Sequence, residues 1–95
     1  MPALNWTQPA IDDLWAIDAW LIENATGEIA LATLASIRFR ASFLEKFPHG
    51  GRPIGDGVRV LRVIETPHLI FYRLAAKNIE ILRVRHERED WFVGP

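Results

Sequence analysis

The sequence contains no cysteine, which excludes a disulfide framework and any metal site that depends on thiolate ligands. It has no apolar run near the roughly 20 residues that cross a membrane, and its first residues lack the basic stretch of a signal peptide. The three histidines, His49, His68 and His86, are isolated and do not show the spacing of a metal site. We therefore expect a soluble, cytoplasmic protein without a metal or another cofactor.

A strong excess of charge of one sign is also absent, because the formal net charge is -1. A strongly basic domain would bind nucleic acid by releasing counterions, and this composition does not support that mechanism for the chain as a whole. The two halves differ, however. Residues 1–46 carry three basic and six acidic side chains, whereas residues 47–95 carry eight basic and six acidic ones. Any site for a polyanion must therefore be local.

The first half of the chain predicts a short strand followed by two helices. With 49% hydrophobic residues in 95 positions, we expect one domain over residues 1–95. Residues 3–6 form the extended segment, and Thr7 is suited to cap the first helix. Apolar residues then recur at spacings of three and four, at Ile11, Leu14, Trp15, Ile17, Leu21 and Ile22. Residues 24–27 break this pattern, and a second helix over about residues 28–46 completes an antiparallel hairpin.

The second half predicts a three-stranded antiparallel meander. Residues 47–57 contain four glycines and two prolines, so we expect a loop there. Three β-rich runs follow at residues 58–64, 68–74 and 79–86, and their connections are too short for parallel pairing. The predicted fold class is α+β, in which the two helices cover one face of the sheet and leave the other face for water or a partner.

Regular alternation in the last strand predicts which of its side chains share a face. It places Leu82, Val84 and His86 on one face, and Ile81, Arg83 and Arg85 on the other. On this prediction the two arginines do not easily share one substrate with the histidine.

Five motifs occur in a fixed order along the chain: Asp13-Leu14 with Trp20, Phe47-Pro48 with Gly51-Arg52, Gly57-Val58-Arg59, Ile70-Phe71-Tyr72-Arg73, and residues 81–91. Together with the order of strand, helical hairpin and meander, they resemble the RelE/ParE toxin superfamily of bacterial toxin-antitoxin systems, and its ParE branch most closely. The resemblance covers nearly the whole chain. It implies the toxin of a type II system, neutralised by a cognate antitoxin, ParD-like or similar, in a hetero-oligomer.

The resemblance implies one of two activities. ParE-like toxins inhibit DNA gyrase, whereas RelE-like toxins cleave messenger RNA on the ribosome. Cleavage needs proton transfer and cations around the phosphate, and Arg59, Arg83 and His86 are the candidates for those roles. RelE-like nucleases typically carry several lysines and a catalytic tyrosine or histidine at the extreme C-terminus, whereas this chain has two lysines and ends in Trp91-Phe92-Val93-Gly94-Pro95. We therefore favour gyrase inhibition and commit to no catalytic residue. RNA cleavage, or an inactive binding domain of the same fold, stays as the alternative.

Basic and aromatic side chains of the sheet and the C-terminal segment are the candidates for contact with the target or the antitoxin: Arg59, Arg62, Tyr72, Arg73, Arg83, Arg85, His86, Arg88, Trp91 and Phe92. Each has a structural alternative. Tyr72 is better explained as a core residue with its hydroxyl at the rim, whereas His86 is equally explained as a partly buried histidine at a strand end. The C-terminal arginines can form solvated ion pairs with neighbouring acids. We expect the tryptophans in the core, with Trp91 as the exception.

Overall fold

The computed structural model describes residues 2–88. Its elements follow in the order β1 (Ala3–Trp6), α1 (Gln8–Asn24), α2 (Gly27–Ser42), a 3-10 helix (Phe43–Glu45), β2 (Arg52–Gly55), β3 (Val58–Arg62), β4 (His68–Leu74) and β5 (Asn78–His86). This arrangement confirms the predicted α+β class, with a strand, a helical hairpin and an antiparallel meander. None of the helices within the described residues is long and apolar enough to span a membrane.

Two threonines determine where the helices begin. The Thr7 hydroxyl accepts a hydrogen bond from the Ala10 amide and donates one to the Ile81 carbonyl at 2.7 Å, so it caps α1 and ties the helix to β5. The Thr26 hydroxyl accepts from the Ile29 amide at 3.0 Å and caps α2 in the same way. The short segment between the helices makes them an antiparallel hairpin.

The sheet has the strand order β1-β5-β4-β3-β2. β1 pairs in parallel with β5, and the other neighbours are antiparallel. The prediction of a loop without helix or strand over residues 47–57 was wrong, because β2 lies within this range and pairs with β3. Its Pro53 is tolerated because β2 is an edge strand. The β2–β3 turn uses positive φ angles of 111° at Gly55 and 76° at Gly57, which favour glycine.

A β-bulge interrupts the predicted alternation of β5. Tyr72 pairs with Ile81 and Phe71 with Arg83, so Leu82 is an extra residue without a partner in β4. Ile81 and Val84 consequently both face the helices, with 0% and 2% of their surfaces exposed. The prediction that Ile81 shares a face with Arg83 was therefore wrong.

The core lies between the helices and the facing side of the sheet. Its buried members are Ala10, Ile37, Ala41, Leu44, Leu61, Val63, Ile70, Tyr72, Ile79, Ile81 and Val84. Trp6 packs against this cluster, but Trp15 and Trp20 are 69% and 62% exposed. The expectation of core positions for these two tryptophans was wrong, because helical spacing gives the width of an apolar face but not the part that the sheet covers.

Candidate functional site

The face of the sheet that points away from the helices carries arginines around an apolar centre. Cross-strand register puts Arg52, Val60, Phe71 and Arg83 in one row, and Arg62, Leu69 and Arg85 in the next. Residues opposite each other in adjacent strands project to the same side. We call this surface the arginine-lined trough: its floor is Val60, Leu69 and Phe71, and arginines flank the floor on both sides. A third row adds Arg73 and Glu80.

Several arginines of this face have acidic partners. Arg73 forms an ion pair with Glu80, and Arg62 lies 3.5 Å from the Glu87 carboxylate. The Arg62 and Glu87 side chains are 64% and 35% exposed, so solvent screens their interaction. These guanidinium groups therefore stay accessible to an anionic partner.

Asp13 of α1 binds Arg83, another arginine of this face, and so links β5 to the helical layer. Its carboxylate accepts hydrogen bonds from Arg83 Nε at 2.8 Å and Nη2 at 2.9 Å, and a third from the Val84 amide at 2.9 Å. β1 ends opposite Ile81, so beyond that point β5 has no neighbouring strand on this side. Asp13 replaces the missing strand as the acceptor for the Val84 amide. Periodicity could not assign this role, because the partners are 70 residues apart.

Tyr72 and Arg59 hold the loop before β2 in place. The Tyr72 hydroxyl donates to the Pro48 carbonyl at 2.9 Å and accepts from the Gly51 amide at 2.8 Å. Arg59 Nη1 donates to the Gly51 carbonyl at 2.7 Å. Burial raises the pKa of Tyr72 above its usual value, while the hydrogen bond from Gly51 and the charge of Arg59 oppose this change.

Tyr72 was predicted as a contact residue, and the structure contradicts that role. Its side chain is 0% exposed, so it cannot contact a partner in this conformation. It positions the loop from within the core instead.

His86 also faces the helices, but it lies at the end of the sheet away from Tyr72 and Arg59. It pairs in register with His68, and the two rings meet edge to face with their centroids 5.8 Å apart. They border a groove of about 650 Å³ between the hairpin and the β3–β4 turn, which we call the hairpin groove. Its apolar lining includes Ile17, Trp20, Leu21, Ile29 and Pro67.

The three residues proposed for a nuclease do not come together. Arg83 belongs to the outer face, whereas Arg59 and His86 occupy rows that face the helices, opposite Tyr72 and His68 respectively. Arg59 is also engaged with loop carbonyls. Proton transfer and phosphate clamping at one atom would need these groups within hydrogen-bond reach of a common substrate.

The remaining predicted contact residues divide by position. Arg62 and Arg73 are exposed on the outer face, Arg83 and Arg85 are half-buried there, and Arg88 is exposed beyond β5. Trp91 and Phe92 lie outside the described residues. Among residues 2–88 the structure shows no group of three or more side chains that could hold a metal ion.

The helical hairpin exposes apolar side chains that were not among the predicted contact residues. Trp15 on α1 is 69% exposed, and Leu31 and Phe39 on α2 are 73% and 80% exposed. Large apolar side chains that are exposed to this degree can form a surface for a protein partner. The sequence carries a signal for two of them, because Leu31 and Phe39 are eight residues apart, about two helical turns, and so lie on neighbouring parts of the α2 surface.

Two solved structures share this arrangement of strand, hairpin and antiparallel sheet. One is titled a chromosomal ParDE toxin-antitoxin system from P. aeruginosa, with 31% identity, a TM-score of 0.85 and coverage of 90% of this chain and 96% of that chain. The other is the toxin-antitoxin complex RelBE2 from Mycobacterium tuberculosis, with 22% identity, a TM-score of 0.61 and coverage of 90% and 99%; this likeness concerns the fold alone. The chain therefore has the fold of the RelE/ParE toxins.

The family itself follows from the sequence comparison. The model of the family described as "ParE toxin of type II toxin-antitoxin system, parDE" matches residues 4–91, so this chain belongs to the ParE toxin family. A relative from Sinorhizobium fredii, named "Putative toxin Y4kP", is 32% identical over 89 residues, which cover 93% of this chain and 91% of the relative. The protein is a ParE-type toxin of a type II toxin-antitoxin system.

Proposed function

We propose that this toxin inhibits DNA gyrase by binding it through the outer face of the sheet, without catalysing a reaction. The observation that carries the proposal is the division of the candidate residues between the two faces. Arg62 and Arg73 are exposed together on the outer face, whereas the groups that RNA cleavage would need are separated. A surface of this kind suits stoichiometric binding, in which arginines at an interface often contribute strongly to affinity.

We further propose a cognate antitoxin, ParD-like or similar, that neutralises the toxin in a hetero-oligomer. The similar structures come from toxin-antitoxin systems, which supports such a partner. On this chain, Trp15, Leu31 and Phe39 supply an exposed apolar surface that a protein partner would cover. A gyrase target also places the toxin in the cytoplasm.

The experiment is a DNA gyrase supercoiling assay with the purified wild-type toxin and three single variants. Arg62→Ala and Arg73→Ala each remove one exposed guanidinium from the outer face. Arg38→Ala is the matched control, because Arg38 is an exposed arginine of α2, in the helical layer on the other side of the sheet.

We expect each outer-face variant to need roughly tenfold more toxin for half-inhibition, which corresponds to about 1.4 kcal/mol per interface arginine. Arg38→Ala should inhibit like the wild type. Equal inhibition by all four proteins would contradict the assignment of the outer face, and an inactive wild type would contradict gyrase as the target. Unfolding curves of the variants check that a loss of inhibition is not a loss of fold.

A further inference from the structure

The loop between the 3-10 helix and β2 presents an aromatic ring to solvent. Phe47 is 55% exposed, and its ring stacks on that of Phe43 with the centroids 4.8 Å apart and an angle of 26° between the planes. Phe43 in turn packs against the core, and the Arg40 guanidinium lies 4.6 Å from its ring centroid. Phe47 therefore offers a flat, open ring that a second ring supports from behind.

Hydrogen bonds hold this loop in place before any ligand binds. Within the loop, the Gly50 amide donates to the Phe47 carbonyl at 2.9 Å. From the sheet, the Tyr72 hydroxyl donates to the Pro48 carbonyl at 2.9 Å and accepts from the Gly51 amide at 2.8 Å. A ligand that stacks on the ring does not have to order the loop, which lowers the entropic cost of binding.

The loop also carries a local excess of positive charge. Lys46 and Arg52 are exposed, and within residues 2–88 neither side chain forms an ion pair or a hydrogen bond. Arg40 and Arg59 donate to nearby carbonyls, so they add two further charges. Glu45 is the only acidic residue between positions 40 and 55, although the whole chain has a net charge of -1. The region therefore attracts an anionic ligand.

We propose that this loop binds single-stranded nucleic acid, with a base stacked on Phe47 and phosphates in contact with Lys46 and Arg52. Each nucleotide joins a flat base to a negative phosphate, which matches both features of the loop. Gly50 contacts Phe47 and lies two residues before Arg52, a separation of at most about 7 Å. One strand of a few nucleotides can therefore reach the ring and both cations.

An acidic peptide fits the loop less well. It would satisfy the cations, but peptide side chains that contribute strongly to binding are usually buried in pockets. Phe47 protrudes with more than half of its surface exposed, so it suits a partner with a flat face. The inference does not depend on gyrase as the target, because Phe47 is not part of the sheet whose outer face that proposal concerns.

The test measures binding of a fluorescein-labelled twelve-nucleotide thymidine DNA strand, and of the matching uridine RNA strand, by fluorescence anisotropy. Phe47→Leu keeps an apolar contact with Phe43 but removes the flat ring, whereas Phe47→Trp enlarges it. Trp20→Leu is the matched control, because Trp20 is an aromatic residue that is 62% exposed and lies between Asp18 and Glu23 in the sequence.

A second pair of variants tests the charge. Lys46 and Lys77 are the two lysines of the chain, and both are exposed, with Lys77 in the β4–β5 turn. For a single strand, each neutralised phosphate adds about 0.7 to the slope of log affinity against log salt concentration. Lys46→Gln should therefore reduce this slope by about 0.7, and Lys77→Gln should leave it unchanged.

We expect the wild type to bind both strands, because neither stacking nor phosphate contact requires a 2′-hydroxyl. Phe47→Leu should weaken binding about tenfold. Phe47→Trp should bind at least as tightly as the wild type, and Trp20→Leu should bind like it. A preference for one strand would support the site and identify DNA or RNA as its ligand. Unfolding curves check that each variant is folded.

Three results would overturn the proposal. The first is no binding of either strand by the wild type, and the second is an equal loss of affinity in Phe47→Leu and Trp20→Leu. The third is tighter binding of a peptide of twelve glutamates than of either strand, which would assign the loop to an acidic protein partner.

Discussion

Replacement of Asp13 tests the link between the helical layer and β5. Asp13→Ala removes the acceptor of the Val84 amide and the bidentate partner of Arg83. Val84 is 2% exposed, and leaving a buried donor unsatisfied costs about 1–3 kcal/mol. The Arg83 side chain is 40% exposed, so its ion pair contributes no more than about 1 kcal/mol. Together these contributions predict that Asp13→Ala lowers the free energy of unfolding by about 1–4 kcal/mol.

Two related variants separate these contributions. Arg83→Ala removes the ion pair but leaves the bond to the Val84 amide, so it should cost about 1 kcal/mol or less. Asp13→Asn keeps a carbonyl oxygen for that amide and should fall between the two. Urea unfolding measures all three, and the midpoint should shift while the slope stays constant. If Asp13→Ala costs no more than Arg83→Ala, the carboxylate does not act as the acceptor that completes the sheet edge, and the reasoning is refuted.

Three further predictions concern the loop and the hairpin. Gly51→Ala should destabilise the protein by about 1–3 kcal/mol, because a Cβ there would lie 2.6 Å from the Tyr72 ring. Gly27→Ala is the control, because a Cβ at position 27 meets nothing within 4 Å, and it should be neutral or slightly stabilising. Urea unfolding measures both variants. Equal effects of the two would contradict the packing argument. The raised pKa of Tyr72 favours its neutral form in the folded state, so the free energy of unfolding should hold below about pH 10, the unfolded pKa, and fall at higher pH as the hydroxyl ionises. Tyr72→Phe should be less stable than the wild type at neutral pH and should lack this alkaline decrease in denaturant titrations. If the variant instead shows the same alkaline decrease as the wild type, the decrease comes from groups other than Tyr72. Phe39→Ser and Leu31→Ser remove side chains of residues that are 80% and 73% exposed, so they should change the unfolding midpoint little. Both should weaken binding of the antitoxin, measured by calorimetry. Unchanged affinity would contradict the proposal that the antitoxin binds the hairpin.

Local patterns predicted most of the secondary structure. The cap at Thr7, the break before α2 and the runs of β4 and β5 all depend on residues close in sequence, so they could be read from the chain. β2 could not, because its glycine and proline content is typical of a loop, and only pairing with β3 at the edge of the sheet makes it a strand.

The candidate site was less predictable because it depends on tertiary contacts. Regular alternation correctly predicted that Arg83 and Arg85 share a face. It could not predict the bulge at Leu82, which places Ile81 on the other side of the sheet. The roles of Asp13 and Tyr72 depend on partners 70 and about two dozen residues away, which neither periodicity nor composition reveals. The partner contacts of Arg62, Arg73, Arg85 and Arg88 stay predictions, as do those of Trp91 and Phe92.

We propose that this ParE-type toxin binds and inhibits gyrase and does not cleave RNA. The most direct measurement compares supercoiling by gyrase and the integrity of messenger RNA in a translation reaction, with the same purified toxin added to both. We predict loss of supercoiling with intact message. Cleaved message with normal supercoiling would contradict the account and return Arg59, Arg83 and His86 to catalytic roles.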